Sequence, residues 1–531
     1  MRRFSRILIG AAGALLIAPL VVAAQAVPAS AATGKLVVTT LDRAGHSVTS
    51  PITIMRASAT FSAPPVSGDS GRALSLPDGS YYVLAAIQDS TSETMAAGYV
   101  SLSGTGTAKT TLNAKGGHQV KVTLNGKAVS GEVDARICAG GGYAQSELAG
   151  APGTVYVVPS TSRALSFAYL AQDQGVTVSG LTSSGIPSSP GGAWTTSHLA
   201  KVSLTVRAGE SAASSIASAL QAQSPNGPSN CQWDIGGTVK QAAAPYSYTE
   251  LVSPGYWDMR TDDWAQAGSS GDQDDIGGYD IMRHVLAGHS YSYTYDSAAW
   301  GIAGPDTIGD HLPIAGNRSI ALIAPRITDP GGNGTEYDTR SAVALSLSGH
   351  TIAKGTETYE QVGEFRAGIT SAGWYTLTDD VTRDYSYFPG LRAPASLLTP
   401  QVTLSWHFYA SPTQAAQIAP GFWASFVPAG LNASNQAKPD TTTTVAVTPV
   451  RSSSDPNAPV VADSVKKLQV WSSTDGAHWT ALVARHSGSD WSVSVKNPAK
   501  AGYVYLRAEV TGSHGDTSTE TVPKAYAVSG S

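Results

Sequence analysis

Charge is scarce in this chain. Only 14% of its 531 residues are Asp, Glu, Lys or Arg, and the formal net charge is -5. A nucleic-acid surface needs clustered Lys and Arg to meet phosphates, so a nucleic-acid partner is excluded. Cysteine is scarcer still, with Cys138 and Cys231 the only two. Neither has a His or a second Cys nearby, which makes a zinc site the weaker reading. An even pair outside the cell tends to oxidise, and a bridge here would close a long loop. Long Leu/Glu/Lys runs are absent, and with them the signal for extended helices. After the N-terminus no segment approaches membrane length, and residues 526–531 form no hydrophobic tail. The H-E-x-x-H and G-x-S-x-G motifs are missing as well. His284 and His289 are five residues apart, not the four that would bring two ligands to one helix face.

What is present begins with a leader. Arg2, Arg3 and Arg6 precede an apolar run over residues 7–24, broken by Pro19, and Ala-Ser-Ala follows at 29–31. Charge, apolar core and small-residue cleavage site in that order read as a signal peptide over residues 1–31. The mature chain is therefore expected to be secreted and extracellular, with no membrane contact after cleavage. Its remaining length suits roughly three or four domains.

Gly, Ser, Thr, Ala, Tyr and Val dominate, and many short segments alternate apolar with polar residues. That pattern predicts an all-β protein of tandem β-sandwich domains, each sheet with one packed and one wet face. The expected units are a small β-sandwich over 33–113, a β domain over 114–245 and a larger jelly-roll-like sandwich over 246–430. An immunoglobulin- or fibronectin-like domain over 445–531 closes the chain. Turn chemistry marks hairpins at Asn125-Gly126 and Asp475-Gly476, and a third at Pro77-Asp78-Gly79. Residues 211–223, SAASSIASALQAQ, carry small apolar residues at helical spacing with Pro225 after them, and predict the one helix. Trp471, Trp479 and Trp491 are expected to fill the core of the last domain.

The last unit reads SSTDGAHW, then WSVSVKNP, AGYVYLRAEV and KAY. Upstream come LDRAGHSV with ALSLPDGSYYV, then EVDAR, then PYSYTELVSPGYW, AGHSYSYTYDSAAWGIAGP and LTPQVTLSWHF. In this order the segments resemble the C-terminal accessory region of secreted actinobacterial subtilisin-like serine proteases, over nearly the whole mature chain. The protease domain of that family is absent, because its Asp, His and Ser contexts do not occur as a set. The lone D-S-G at 69–71 and H-G at 514–515 do not make a triad. The resemblance thus implies a non-catalytic accessory region standing alone, with no catalytic residue to carry over.

One stretch stays open. Residues 257–280, WDMRTDDWAQAGSSGDQDDIGGYD, hold seven aspartates. Asp272, Asp274, Asp275 and Asp280, read as a Gly-rich loop, suit calcium, a hard cation wanting six to eight oxygens. The EF-hand pattern fails, since Ile276 and Arg283 stand at its fifth and twelfth positions. A hydrolase using the Asp-rich loop 258–280 would need two carboxylates across a cleft lined by Trp257, Trp264 and Tyr279. A polar loop with local Asp turns is the third reading.

Taken together, these features predict a secreted non-enzymatic binding or structural module that requires no cofactor, calcium aside. Its partner would be an extracellular protein or polysaccharide. The alternatives are a partner or inhibitor of a separate secreted protease, and the hydrolase.

Overall fold

The computed structural model describes residues 33–530 apart from 59–64, 140–143, 210–214, 224–230, 232–234, 267–272, 303–312, 324–326, 332–338, 359–363, 386–390, 452–458 and 488–489. The expected leader at 1–31 lies outside the described residues. The protein is all-β: among the described residues every regular element is a strand except two short 3-10 turns. None of these residues forms a helix long and apolar enough to cross a membrane.

The N-terminal half stacks four of its five described sheets in layers. The first is built around Thr33–Leu41 and the second around Gly79–Gln88 and Glu93–Leu102. The third contains Val133–Ala139 and Leu165–Gln172, and the fourth contains Ser215–Gln223 and Gly255–Gln266. Strand parity decides which residue joins which layer. Tyr81, Val83 and Ile87 pack with Leu36 and Val38 of the first sheet. Their alternates Leu84 and Ala86 face Val133, Phe167 and Tyr169 of the third sheet. Ala168 and Leu170, on the reverse of the third sheet, pack on Leu220, Trp257 and Met259 of the fourth. The two middle sheets are thus covered on both faces, where simple alternation predicts one wet face. Each such buried Leu or Phe contributes about 1.5–3 kcal/mol of transfer free energy.

This layering explains two departures from the sequence reading. The expected helix is a strand, Ser215–Gln223, buried on both faces between Ile235–Ala242 and Gly255–Gln266. Both faces of this strand are closed off from solvent, and small Ala and Ser residues recur along it without any helical turn. The Pro77-Asp78-Gly79 turn is not a hairpin either. Ala73–Pro77 pairs with Thr33–Leu41 in the first sheet, while Gly79–Gln88 pairs in the second. The chain reverses there by crossing between sheets. Asn125 and Gly126, both at positive φ, do turn a hairpin between Lys121–Leu124 and Lys127–Ala128.

The C-terminal half is organised differently. One nine-stranded sheet runs through Thr339–Leu347, Gly373–Arg383, Gln401–Ala410, Thr517–Val528, Gly502–Gly512 and Val465–Ser473. Its inner face is covered by two four-stranded sheets side by side. One contributes Ile320, Leu322 and Phe365 against Leu377, Leu404 and Trp406. The other contributes Phe426, Val447 and Val493 against Leu506, Val510 and Tyr526. The outer face of the large sheet is left open.

Pairing runs across the expected unit boundaries. Val155–Val157 joins Glu93–Leu102, Tyr246–Val252 joins Ala200–Val206, and Thr517–Val528 joins Gln401–Ala410. A buried Asn435 ties the two halves. Its amide donates to Ala208 O at 3.1 Å and Asp296 O at 2.7 Å, and its carbonyl accepts from Ala298 N at 3.0 Å. Cys138 is joined to Cys231, 93 residues away, at the core between the third and fourth layers.

Candidate functional site

The aspartate-rich stretch is a paired hairpin, not a loop. Gly255–Gln266 and Gln273–Val285 run antiparallel, placing Asp274 opposite Ala265, Asp275 opposite Trp264 and Asp280 opposite Arg260. Asp272 lies outside the described residues. A strand rises about 3.3 Å per residue, so the backbones of Asp274 and Asp280 stand about 20 Å apart. Two aspartates at that spacing cannot share an ion that holds its oxygens at about 2.3–2.6 Å. Trp257 lines no cleft beside them, because it is fully buried and its indole donates to Ser253 O at 2.7 Å. Asp258 and Asp263 are buried as well, and Arg260 is paired with Asp262 at 2.7 Å.

Ser70 of the GDSG segment is also spent internally. It is buried, meets Thr40 Oγ1 at 2.6 Å and accepts from Ser50 N at 2.9 Å. His284 stacks on Tyr256 at 4.6 Å.

Two carboxyl groups share a row on the inner face of the large sheet. Asp379 is opposite Leu404, and Leu404 is opposite Glu520. Both acids are shut off from solvent, and burial pushes each pKa up to about 7. Glu520 accepts from Ala424 N at 2.8 Å and Ile302 N at 3.3 Å, so it acts as an internal strut between the large sheet and the layer covering it.

The outer face of the large sheet is where chemistry meets solvent. Among the described residues the exposed aromatic rings are Tyr99, Trp374 and Tyr409. Trp374 and Tyr409 are direct cross-strand partners. Their rings meet edge-to-face at 6.0 Å, and Trp374 stacks on His407 at 5.2 Å. Thr376 Oγ1 sits 2.9 Å from His407 Nδ1 and fixes the imidazole. Beyond the rings the face becomes a hydroxyl lattice. Thr376, His407 and Thr517 form one row across three strands, and Thr378, Ser405 and Thr519 form the next. Rows recur at two-residue spacing and strands at about 4.8 Å. At the far end Trp471 lies opposite Arg507, whose guanidinium covers the Trp479 ring at 4.0 Å. Trp471 and Trp479 therefore lie outside the core they were expected to fill. Trp491 is partly buried against that core and stacks on His486 at 4.2 Å.

Only the period-two alternation of TLTDD, TLSWHFY and TSTET hinted at this face. The sequence shows that Thr and Ser alternate with core residues, but not that three such strands lie side by side.

No protein-family model matches the chain. No curated protein matches it either. Among solved structures it is similar to the Bacillus anthracis TIE protein at 7% identity, covering 62% of this chain and 63% of that one, with a TM-score of 0.13. It is similar to two B repeat units of the collagen binding protein of Staphylococcus aureus at 10% identity, covering 65% and 92%, with a TM-score of 0.12. A streptococcal ancillary pilin aligns at 11% identity over 70% and 95%, with a TM-score of 0.11. Superposition this poor carries no argument about function.

Proposed function

We propose that this chain is a secreted, non-catalytic binding protein whose open outer face takes an extended polysaccharide. The ring cluster Trp374–His407–Tyr409, standing in solvent at the edge of a hydroxyl lattice, carries the reading. Aromatic faces offer large rigid apolar area, which suits the C–H face of a sugar ring. Rows of Thr and Ser hydroxyls suit its edge. Small ligands are bound in concave sites, whereas an open sheet face suits a polymer. A stable protein interface wants an apolar centre rich in aromatic and aliphatic side chains, and here the surroundings of the rings are Thr and Ser. Single strands of nucleic acid also stack on rings but need a basic groove, which a net charge of -5 does not favour.

Secretion belongs to this proposal and rests on the leader at residues 1–31. So does the likeness to protease accessory regions, whose role would be to hold an enzyme or its chain on a surface. The test is adsorption of the mature protein to insoluble cellulose, chitin and peptidoglycan, with casein- and collagen-coated beads as protein controls. Retention on a polysaccharide and not on the protein beads is expected. Retention on protein beads alone would overturn the polysaccharide reading, and release of soluble sugar from any substrate would overturn the non-catalytic one.

A further inference from the structure

The hydroxyl lattice of the outer face ends on a held cation. Thr403 lies opposite Thr521, Thr521 opposite Arg507, and Arg507 opposite Trp471, in one row across four strands. All four side chains are half-buried. Arg507 is fixed from two sides. Its Nε donates to Thr521 Oγ1 at 3.1 Å, and its guanidinium lies over the Trp479 ring at 4.0 Å. Trp479 is itself pinned, its indole donating to Gly476 O at 3.1 Å. Asp475 Oδ1 sets the chain just before it, accepting from Ala477 N and His478 N, each at 2.8 Å.

What this cation lacks is an acid. Among the described residues no carboxylate pairs with Arg507, and no group accepts from its Nη1 or Nη2. Asp475 is engaged by His478, whose Nδ1 lies 2.7 Å away. Asp380, at the other end of the row, accepts from Thr403 at 2.7 Å. Glu509, the next outward residue on the strand of Arg507, lies opposite Gln469 and Thr519 and makes no ion pair with it. The two Nη groups form a fork that matches a carboxylate bidentately. Stacking and one hydrogen bond order this side chain before a ligand arrives, which lowers the cost of binding. Tyr409 is six residues from Thr403 along its strand, and Arg507 is two strands further across. At about 3.3 Å per residue and 4.8 Å per strand, the fork stands about 22 Å from the rings. A small ligand cannot touch both, whereas one polymer chain can, and two linked contacts bind more tightly than either alone.

Given that this face takes a polysaccharide, we infer that the polysaccharide bears carboxylates and that Arg507 binds them. One held guanidinium suits acid groups spaced along a glycan. A nucleic acid, with a phosphate at every residue, needs a basic groove instead.

The test is a depletion isotherm of the mature protein on insoluble polygalacturonate and on peptidoglycan, each beside a sample whose carboxyls are blocked as methyl esters. The first carries its acid on the sugar ring and the second on ether and peptide side groups, so a preference confined to one identifies the source. At low salt the acid form should bind about three- to fivefold more tightly than its ester. The difference should fade towards about 0.5 M salt, because exposed charges are screened. Arg507→Gln should bind acid and ester alike, with its ester binding equal to that of the wild type. Arg507→Lys keeps the charge but loses the fork, so it should retain only part of the preference. Trp374→Ala plus Tyr409→Ala should weaken binding to acid and ester by the same factor, which separates failure of the ring reading from failure of this one. Equal binding of the wild type to acid and ester would overturn the assignment, as would no retention on either acid glycan or a preference that survives Arg507→Gln. Should Arg507→Gln fail to fold, Arg507→Lys decides: weaker binding to the acid form alone supports the fork, and binding identical to the wild type on both forms overturns it.

Discussion

A single buried acid can set the pH response of a protein, and Asp379 is placed to do so. Its pKa is raised from the ordinary carboxylate value to about 7 by burial. The folded state therefore keeps a proton that the unfolded chain gives up near pH 4. Stability from this group is fully present below pH 4 and is lost as pH rises towards 7, because the unfolded state binds fewer protons over that window. Asp379→Asn should flatten the fall in Tm between pH 4 and 7 and raise Tm at pH 8. An unchanged slope would mean the carboxyl is hydrated. Asn435 makes the opposite prediction. Asn435→Ala strips Asp296 O and Ala298 N of their partners at the junction of the halves, costing about 1–3 kcal/mol for each group left unpaired. Chemical denaturation would show it as a lower midpoint, and an unshifted midpoint would mean that water replaces the amide. At this scale the sequence was least legible. Asp379 sits in the same TLTDDVTR segment as exposed Asp380; its parity with Leu377 and Val381 turns it inward, but an acid there reads locally as a wet-face residue.

Elements were more legible, with failures that have clear physical causes. Alternation located most strands, and Asn125-Gly126 and Asp475-Gly476 marked true turns. Residues 215–223 failed because a strand buried on both faces lacks the apolar–polar alternation of a half-wet strand, and Ala repeats then mimic helical spacing. The Pro77-Asp78-Gly79 turn failed as a hairpin because turn chemistry reports a chain reversal and not which sheet receives the chain. The aspartate stretch failed as a loop because its charges conceal a bulged pair of long strands. Cys138 and Cys231 could be paired from their number alone. The bridge closes a 93-residue loop, so Cys138→Ser with Cys231→Ser should cost about 4–5 kcal/mol in the chain-entropy view. The loss should appear equally in the reduced wild type. Equal stability of oxidised and reduced protein would show that the layers alone hold this region.

At the scale of the whole molecule, the all-β class was legible from composition, while the layering was not. Which sheet faces which depends on contacts between residues far apart in sequence, such as Phe167 against Leu84, and no local pattern carries that information. The same holds for the proposed site. Its rings come from Trp374, His407 and Tyr409 on two strands, and its hydroxyl rows from three. The two halves manage their surfaces differently. The N-terminal stack covers both faces of its middle sheets, whereas the large C-terminal sheet leaves one face to solvent and sets two aromatic rings in it. Exposed side chains of that kind contribute little to folding, so their removal should spare Tm. The most direct measurement is a depletion isotherm on the polysaccharide that retains the protein, comparing wild type with Trp374→Ala plus Tyr409→Ala. The account predicts about a tenfold or greater loss of affinity, near 1.4 kcal/mol or more, with Tm unchanged. Equal adsorption of variant and wild type would contradict the assignment of the binding face.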